Sequence, residues 1–286
     1  MLSRPLTLPL AAVLLVALVV TLFPVFWILI TAIKPPTDWN AAPAIWFPSE
    51  PTLVNFRTLF DPAAIQAFGL SGVSQPATPS ILGSLLASIL ATALSISIGL
   101  LAAIGLSRYS MMSKATPLII LSGRMFPPAA IAVPFVIIFS VTNVIDTYSG
   151  LIAIYVAVTL PFSTWMLKSF VDDLPREIEE AAMLDGRSRM MAHLAVTIPL
   201  IKGGLFATTM FIFILNWSEF MFALVLSYTN VTTIPVQLAK YVTATAGTLY
   251  GVQAALAVLA MLPLVVGGFM IQSHLARGMT FGAVKR

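Results

Sequence analysis

Six long apolar stretches, each close to the length that crosses a bilayer, leave this chain few folds to choose from. They run Leu8–Ile33, Ile81–Leu106, Thr116–Val141, Gly150–Leu167, Gly203–Leu226 and Gly251–Leu275. A spanning helix needs about 20 mostly apolar residues. The chain therefore reads as an all-α integral membrane protein with six transmembrane helices. Composition agrees: 59% of residues are apolar and 9% charged, against about 45–50% and about 25% in a soluble domain. A formal charge of +4 in a soluble chain would point to nucleic acid. Here it reflects Lys and Arg gathered in loops on one side of a membrane, so nucleic acid is not expected as a partner. The absence of cysteine rules out disulfides and thiolate metal sites. Two histidines far apart in sequence argue against a His-based site, so no metal is expected.

The first stretch follows Arg4, as a signal peptide would. It is longer than the usual ~7–15-residue apolar core and lacks a small-x-small cleavage site. It reads as a retained span, kinked at Pro24. Lys34–Ser80 is rich in proline and carries Trp39, Trp46, Phe47 and Phe56, as an interfacial loop with short helical pieces would. The second span offers Ser84, Ser88, Ser95 and Gly99 for close helix packing. Pro127, Pro128 and Pro134 should break or bend the third. Ser227–Tyr250 reads as a second exposed loop, and the tail from Ala276 is short and basic. Residues 1–80 form a first span with its outward loop, and 81–286 a core region. Both belong to a single transmembrane domain.

Six spans place both termini on one side. That side holds Arg4, Arg108, Lys114, Lys168, Arg176, Arg187, Arg189, Lys202, Arg277, Lys285 and Arg286, against Lys34, Arg57 and Lys240 opposite. This bias predicts cytoplasmic termini. No G-x-x-x-x-G-K-[ST] string occurs, so any ATP hydrolysis must belong to a partner chain.

The longest charged run, Leu174–Pro199, falls on the cytoplasmic side. Asp172 or Asp173 can cap a helix that accepts Pro175 in its first turn. Glu177, Glu179 and Glu180 complement its dipole. Ile178, Ala181, Ala182 and Asp185 fall on one face, which the alanines flatten for close approach. Gly186 can end the helix in a left-handed cap, and a second helical run, Ser188–Thr197, leads to Pro199. A solvated helix-turn-helix would look much the same by composition.

Spacing is more specific. Glu180-Ala181-Ala182, then Gly186, then Val196-x-Ile198-Pro199 resembles the EAA loop of ABC-importer permeases. Asp146-Thr147-Tyr148, Asn216-Trp217-Ser218-Glu219-Phe220 and Gly278-Met279-Thr280-Phe281-Gly282-Ala283-Val284-Lys285 resemble carbohydrate-uptake permeases of the maltose-transporter class. The likeness covers roughly Ile81–Arg286 and the string at Pro51–Phe56; Asp61–Pro79 is longer than that class leads one to expect. The resemblance implies a permease subunit of an ATP-driven, binding-protein-dependent importer in a bacterial-type inner membrane. Its partners would be a second, different permease, two cytoplasmic ATPase subunits and a periplasmic or lipid-anchored solute-binding protein. This chain would bind no cofactor; ATP and Mg would sit on the ATPases. By the same resemblance the loop 172–199 couples to the motor. Arg176, Glu177, Glu180 and Asp185 would supply polar contacts, and Ala181, Ala182 and Gly186 close packing. Gly282, Val284 and Lys285 would form a tail that reaches the ATPase pair.

Arg124 and Glu219 lie within apolar spans, where a charge costs roughly 2.5–3.5 kcal/mol on insertion scales. They can pair with each other, contact water or bind solute. Sugars and polyols are held by planar hydrogen-bonding groups and aromatic faces. Asn216, Trp217 and Glu219, with Arg124 and Met125, are therefore substrate-path candidates. Alternatives remain open. Arg124 would suit a phosphorylated solute such as glycerol phosphate, and a non-carbohydrate solute would use the same coupling loop. A rhomboid-like protease is a remote reading of Gly69-Leu70-Ser71-Gly72 with His274. Ser71 and His274 are expected on opposite membrane faces, whereas a nucleophile and its base must approach within about 3 Å. No catalytic residue is assigned.

Overall fold

A computed structural model describes residues 8–68, 75–109, 122, 127–243 and 247–282. Among them, four helices are long and apolar enough to cross a membrane. These are α1 (Leu8–Ala32), α3 (Thr78–Arg108), α5 (Tyr148–Asp172) and α11 (Tyr250–Gly282). A fifth arises if α7 (Arg189–Leu200) and α8 (Lys202–Trp217) are taken as one span bent by 77°. The shorter apolar helix α4 (Pro128–Val141) is the described half of the third stretch. It starts at Pro128, with Pro127 at its N-cap, where a missing N–H costs nothing, and runs on through Pro134.

The chain packs as two units. One comprises the chain up to Thr78 with Gln237–Leu262, and the other Pro79–Val236 with the chain from Pro263 on. In the first unit α1 ends where Asn55 of α2 (Val54–Phe60) donates to the carbonyls of Ala32 and Lys34 at 2.9 and 2.8 Å. Carbonyls at a helix end lack intrahelical partners, and the Lys34 carbonyl also accepts from Trp39 Nε1 at 3.2 Å. Lys34 Nζ lies 4.1 Å from the Trp27 ring centre, and Trp27 meets Trp46 edge-on at 5.8 Å. That cluster suits the aromatic belt of a membrane interface. Short 3-10 turns at Pro36–Asp38 and Pro62–Phe68 complete the expected broken loop.

The stretch Ser227–Tyr250 is not an exposed loop. It holds the helix α10 (Ile234–Lys240) and a hairpin of two-residue strands, β1 (Val242–Thr243) and β2 (Gly247–Thr248). Val231, Ile234, Val236, Tyr241 and Leu249 are buried. Threonines, Asn230 and Pro235 dilute the apolar residues enough to mimic a loop.

The second unit is built on α3. Its small polar residues face α5 and the segments beyond it. Ser95 Oγ meets Thr159 Oγ1 at 2.8 Å, and Ser163 Oγ donates to the Ser95 carbonyl at 2.8 Å. A Cβ on Gly99 would sit 2.4 Å from Ser163 Oγ, so the helices touch backbone to side chain. Ser84 Oγ accepts from the Ile234 N–H at 2.7 Å. Around this seam lies an apolar core that includes Ala87, Ala91, Phe139, Leu151, Tyr155 and Phe222.

Candidate functional site: a clamped helix-turn-helix and a cavity beside a helix break

α5 closes at Asp172 and Asp173 because Pro175 disfavours a helical Leu174. The next helix, α6 (Arg176–Leu184), has Pro175 at its N-cap and no side-chain cap. Asp172 and Asp173 therefore do not cap α6 as expected: Asp173 is the C-cap of α5, and Asp172 pairs with Lys168 one turn earlier. Glu177 and Glu179 occupy the first turn of α6, where the dipole favours them. Gly186 ends the helix at φ +86°. Gly186 N–H bonds the Met183 carbonyl at 3.0 Å and Arg187 N–H the Ala182 carbonyl at 3.2 Å, a Schellman closure. Ser188 then caps α7 by accepting from Met191 N–H, and a π-turn at His193–Thr197 continues it.

The side chain that organises this loop is Glu179, which the sequence does not separate from its neighbours Glu177 and Glu180. Arg108, the last residue of α3, donates through Nε to both Glu179 carboxylate oxygens at 3.0 and 2.9 Å. Each side chain is only 7% exposed. Thr197 Oγ1 donates to Glu179 Oε1 at 2.7 Å, and His193 Nδ1 stands 3.7 Å from Oε2. The other His193 nitrogen contacts the Tyr109 hydroxyl at 3.0 Å. Arg108 also reaches the Leu174 carbonyl at 3.2 Å, while Arg176 reaches back to the Ser107 carbonyl at 2.7 Å. Two arginines thus cross between α3 and the loop in opposite directions. Removing one partner of a buried pair strands the other charge at a cost of about 3–5 kcal/mol, so the hub fixes the loop firmly.

The expected face of α6 divides. Ala182 is buried toward the hub, whereas Ile178, Ala181 and Asp185 are exposed. Leu184 is 89% exposed, and Met190, Met191 and Leu194 extend the apolar surface along α7. Glu177, Glu180 and Gly186 are also exposed. Of the tail, Gly282 ends α11, and Val284 and Lys285 lie outside the described residues.

The second feature is a cavity of about 290 Å³ in the second unit, walled by Tyr155, Thr159, Asn216, Ser218, Glu219 and Phe220 among others. It opens where α8 stops at Trp217 and the chain restarts as α9 (Met221–Leu226). Glu219 occupies that break. Its oxygens accept the N–H groups of Phe222 and Ala223 at 2.8 and 3.0 Å. The fifth stretch is therefore interrupted, with the carboxylate supplying partners to a helix start inside the apolar region. Irregular backbone at membrane depth is tolerated where it lines a cavity. Tyr155 shares the cavity wall with Glu219, and its hydroxyl is buried. Asn216 is buried and donates to Thr92 Oγ1 at 3.1 Å. Trp217 stacks on Phe213 at 5.7 Å and is not part of the cavity wall. Arg124, Met125 and Ser71 lie outside the described residues, as does the side chain of His274. Tyr155 and Thr159 escape a sequence reading because one turn of an apolar helix carries no mark of a cavity.

Comparison with known proteins gives the context. The chain is 33% identical to the probable ABC transporter permease protein y4oR of Sinorhizobium fredii, over 93% of this chain and 91% of that one. It is 34% identical to the sulfoquinovosyl glycerol transport system permease protein SmoH of Agrobacterium fabrum, over 99% and 94%. It is 30% identical to the trehalose/maltose transport system permease protein MalG of Thermococcus litoralis, over 93% and 92%. In fold it matches a bacterial ABC transporter involved in the import of the acidic polysaccharide alginate. That match has a TM-score of 0.72 at 18% identity, over 92% of this chain and 94% of the other. The pattern of the family described as binding-protein-dependent transport system inner membrane component covers residues 95–281. This chain belongs to that family, and is a multi-pass permease subunit of an ABC importer whose ATPase is a separate chain.

Proposed function

We propose that the chain forms half of the translocation pathway of an importer for a neutral sugar, glycoside or polyol. It pairs with a different permease chain, and both its termini and the loop 172–199 are cytoplasmic. Two ATPase subunits, which hold ATP and Mg, receive α6 through Ile178, Ala181, Leu184 and Asp185, with Arg176, Glu177, Glu180 and Gly186 at the rim. The tail at Gly282, Val284 and Lys285 reaches the same partners, and Ala182 sets how closely α6 packs on its own subunit. The observation that carries this reading is the exposed apolar residues Ile178 and Leu184 on the outer face of α6, a helix that belongs to none of the candidate spans. A patch of that kind on a rigid frame marks a protein interface. Transport follows if ATP binds the outward-facing state better than the inward-facing one.

For the solute, the cavity favours a polyhydroxylated molecule. Among the described residues its wall combines a carboxylate, a carboxamide, hydroxyls and aromatic rings, and no cation. Asn216 and Glu219 belong to that wall; Trp217 stacks on Phe213 in the same helix, and it remains, with Arg124 and Met125, a further candidate for the solute path. A second reading, a glycoside bearing an anionic group, is favoured by the full-length similarity to SmoH, with Arg124 as the matching cation. The test is reconstitution of the chain with its native partners into liposomes, followed by ATP hydrolysis across a panel of solutes. Stimulation by a neutral sugar or polyol supports the first reading, and by a sulfonated or phosphorylated glycoside the second. Failure of any ATPase to co-purify would remove both.

A further inference from the structure

α3 runs unbroken from Arg108, beside the loop, to Thr92 at its middle and beyond, and along that length it is fastened by polar contacts rather than by apolar packing alone. At one end are the crossed arginines: Arg108 to Glu179 and to the Leu174 carbonyl, and Arg176 to the Ser107 carbonyl. In the middle, Ser95 and Gly99 lock onto Thr159 and Ser163 of α5. Three residues before Ser95 on the same side, Thr92 holds Asn216 of the cavity wall within one residue slot of the α8 break. Small residues along this seam leave no soft layer to absorb a displacement.

We infer that Glu179 is a positioning residue for coupling: it fixes α6 to α3, so that movement of α6 is delivered through α3 to Thr92 and Asn216 at the cavity. The outer face of α6 receives the motor, and Glu179, on the inner face, passes the motion on. This rests on α6 being the coupling helix. The hub is well suited to that work because Glu179 touches all three segments that must move together, namely the end of α3, α6 and the π-turn of α7. An apolar contact in its place would let α6 slide; a two-oxygen ion pair with a third partner fixes direction as well as distance.

Two measurements on the full transporter with its native partners test this. The chain has no cysteine, so paired nitroxide labels can be placed at Arg187, whose N–H bonds the end of α6 and which is not among the residues placed at the motor, and at Leu101, both exposed. In the wild-type background their separation stays constant between the nucleotide-free and ATP-trapped states. A change of about one helical turn, ~5 Å or more, overturns the inference. The second measurement is the ratio of solute taken up to ATP hydrolysed. Glu179→Gln and Arg108→Gln lower it on the order of tenfold while the complex still assembles, and the exchange Arg108→Glu with Glu179→Arg restores part of it. A wild-type ratio in assembled Glu179→Gln also overturns the inference, but leaves α6 as the coupling helix. Absence of an ATPase partner in the wild-type preparation would instead remove the reading on which it rests. If Glu179→Gln does not assemble, Thr197→Val, which removes one hydrogen bond from the same carboxylate, gives a smaller drop in the same ratio.

Discussion

Asn216 Nδ2 donates to Thr92 Oγ1 at 3.1 Å, and both side chains are buried. The bond ties the last turn of α8 to the middle of α3, beside the point where α8 breaks. Thr92→Val keeps the shape and removes the acceptor. In membrane proteins such interhelical bonds average about 0.6 kcal/mol and reach about 1.7. The variant should lose about 0.5–1.5 kcal/mol, read as a lower midpoint in detergent-monitored unfolding. Thr92→Ser should stay at the wild-type value. Loss in Thr92→Ser with none in Thr92→Val would show that the methyl group matters and the hydroxyl does not.

Gly186 tests the turn that ends α6. Its φ of +86° is costly for any residue with a Cβ, and no atom lies within 4 Å of the place a Cβ would take. The penalty for Gly186→Ala is therefore backbone strain alone, about 1 kcal/mol. Gly186→Asn should be milder, since Asn visits the left-handed region more readily. Solute-stimulated ATP hydrolysis should fall in the order wild type, Asn, Ala. Unchanged stimulation in Gly186→Ala would mean that the turn geometry is not needed for coupling.

How much of this was legible before the fold was known depends on the range of the interaction involved. The helix and turn at 176–186 were legible because their signals are local: a proline start, acidic residues in the first turn and a glycine seven residues after Glu179 that takes positive φ. The all-helical membrane fold was legible because a bilayer demands long apolar runs. Glu179 was not, because Glu177, Glu179 and Glu180 look equivalent until Arg108, 71 positions earlier, selects one of them. The break at Glu219 was hidden for a related reason. A charge inside an apolar run signals a function or a partner, but its actual partners are the backbone N–H groups of its own chain three and four residues on. Trp217 looked like a sugar platform by type alone, yet its place in the wall is taken by Tyr155 and Phe220.

Two glycines on α3 make a matched pair. A Cβ on Gly99 would lie 2.4 Å from Ser163 Oγ and 3.1 Å from the Thr164 backbone nitrogen. The second of these is backbone and cannot rotate away. Gly105, six residues further on, has nothing within 4 Å. Gly99→Ala should therefore cost about 1–3 kcal/mol through overpacking. Gly105→Ala should be neutral or stabilising by about 0.5–1 kcal/mol, since alanine is the better helix former. Thermal unfolding of the two variants in one detergent checks the contrast. A similar shift in both would mean that α3 and α5 can separate at the crossing.

Asp146 carries the clearest pH dependence. It sits between α4 and α5 and ties that loop to the segment after α9. Burial pushes its carboxyl up, but the backbone N–H groups of Asn230, Tyr228, Thr229 and Val231 together outweigh burial and hold its pKa at about 2. Their distances run from 2.8 to 3.2 Å. The ordinary carboxylate value is near 3.9, so the folded state binds the proton less readily than the unfolded one. The resulting stabilisation is fully present above about pH 4–5 and is lost as pH falls toward 2. After allowance for solvent screening at this partly exposed site it amounts to roughly 1–2 kcal/mol. Asp146→Asn should therefore unfold at lower temperature than the wild type at pH 6, with the gap narrowing as the pH approaches 3. A gap of the same size at both pH values would assign the effect to shape and not to the charge held by the four N–H groups.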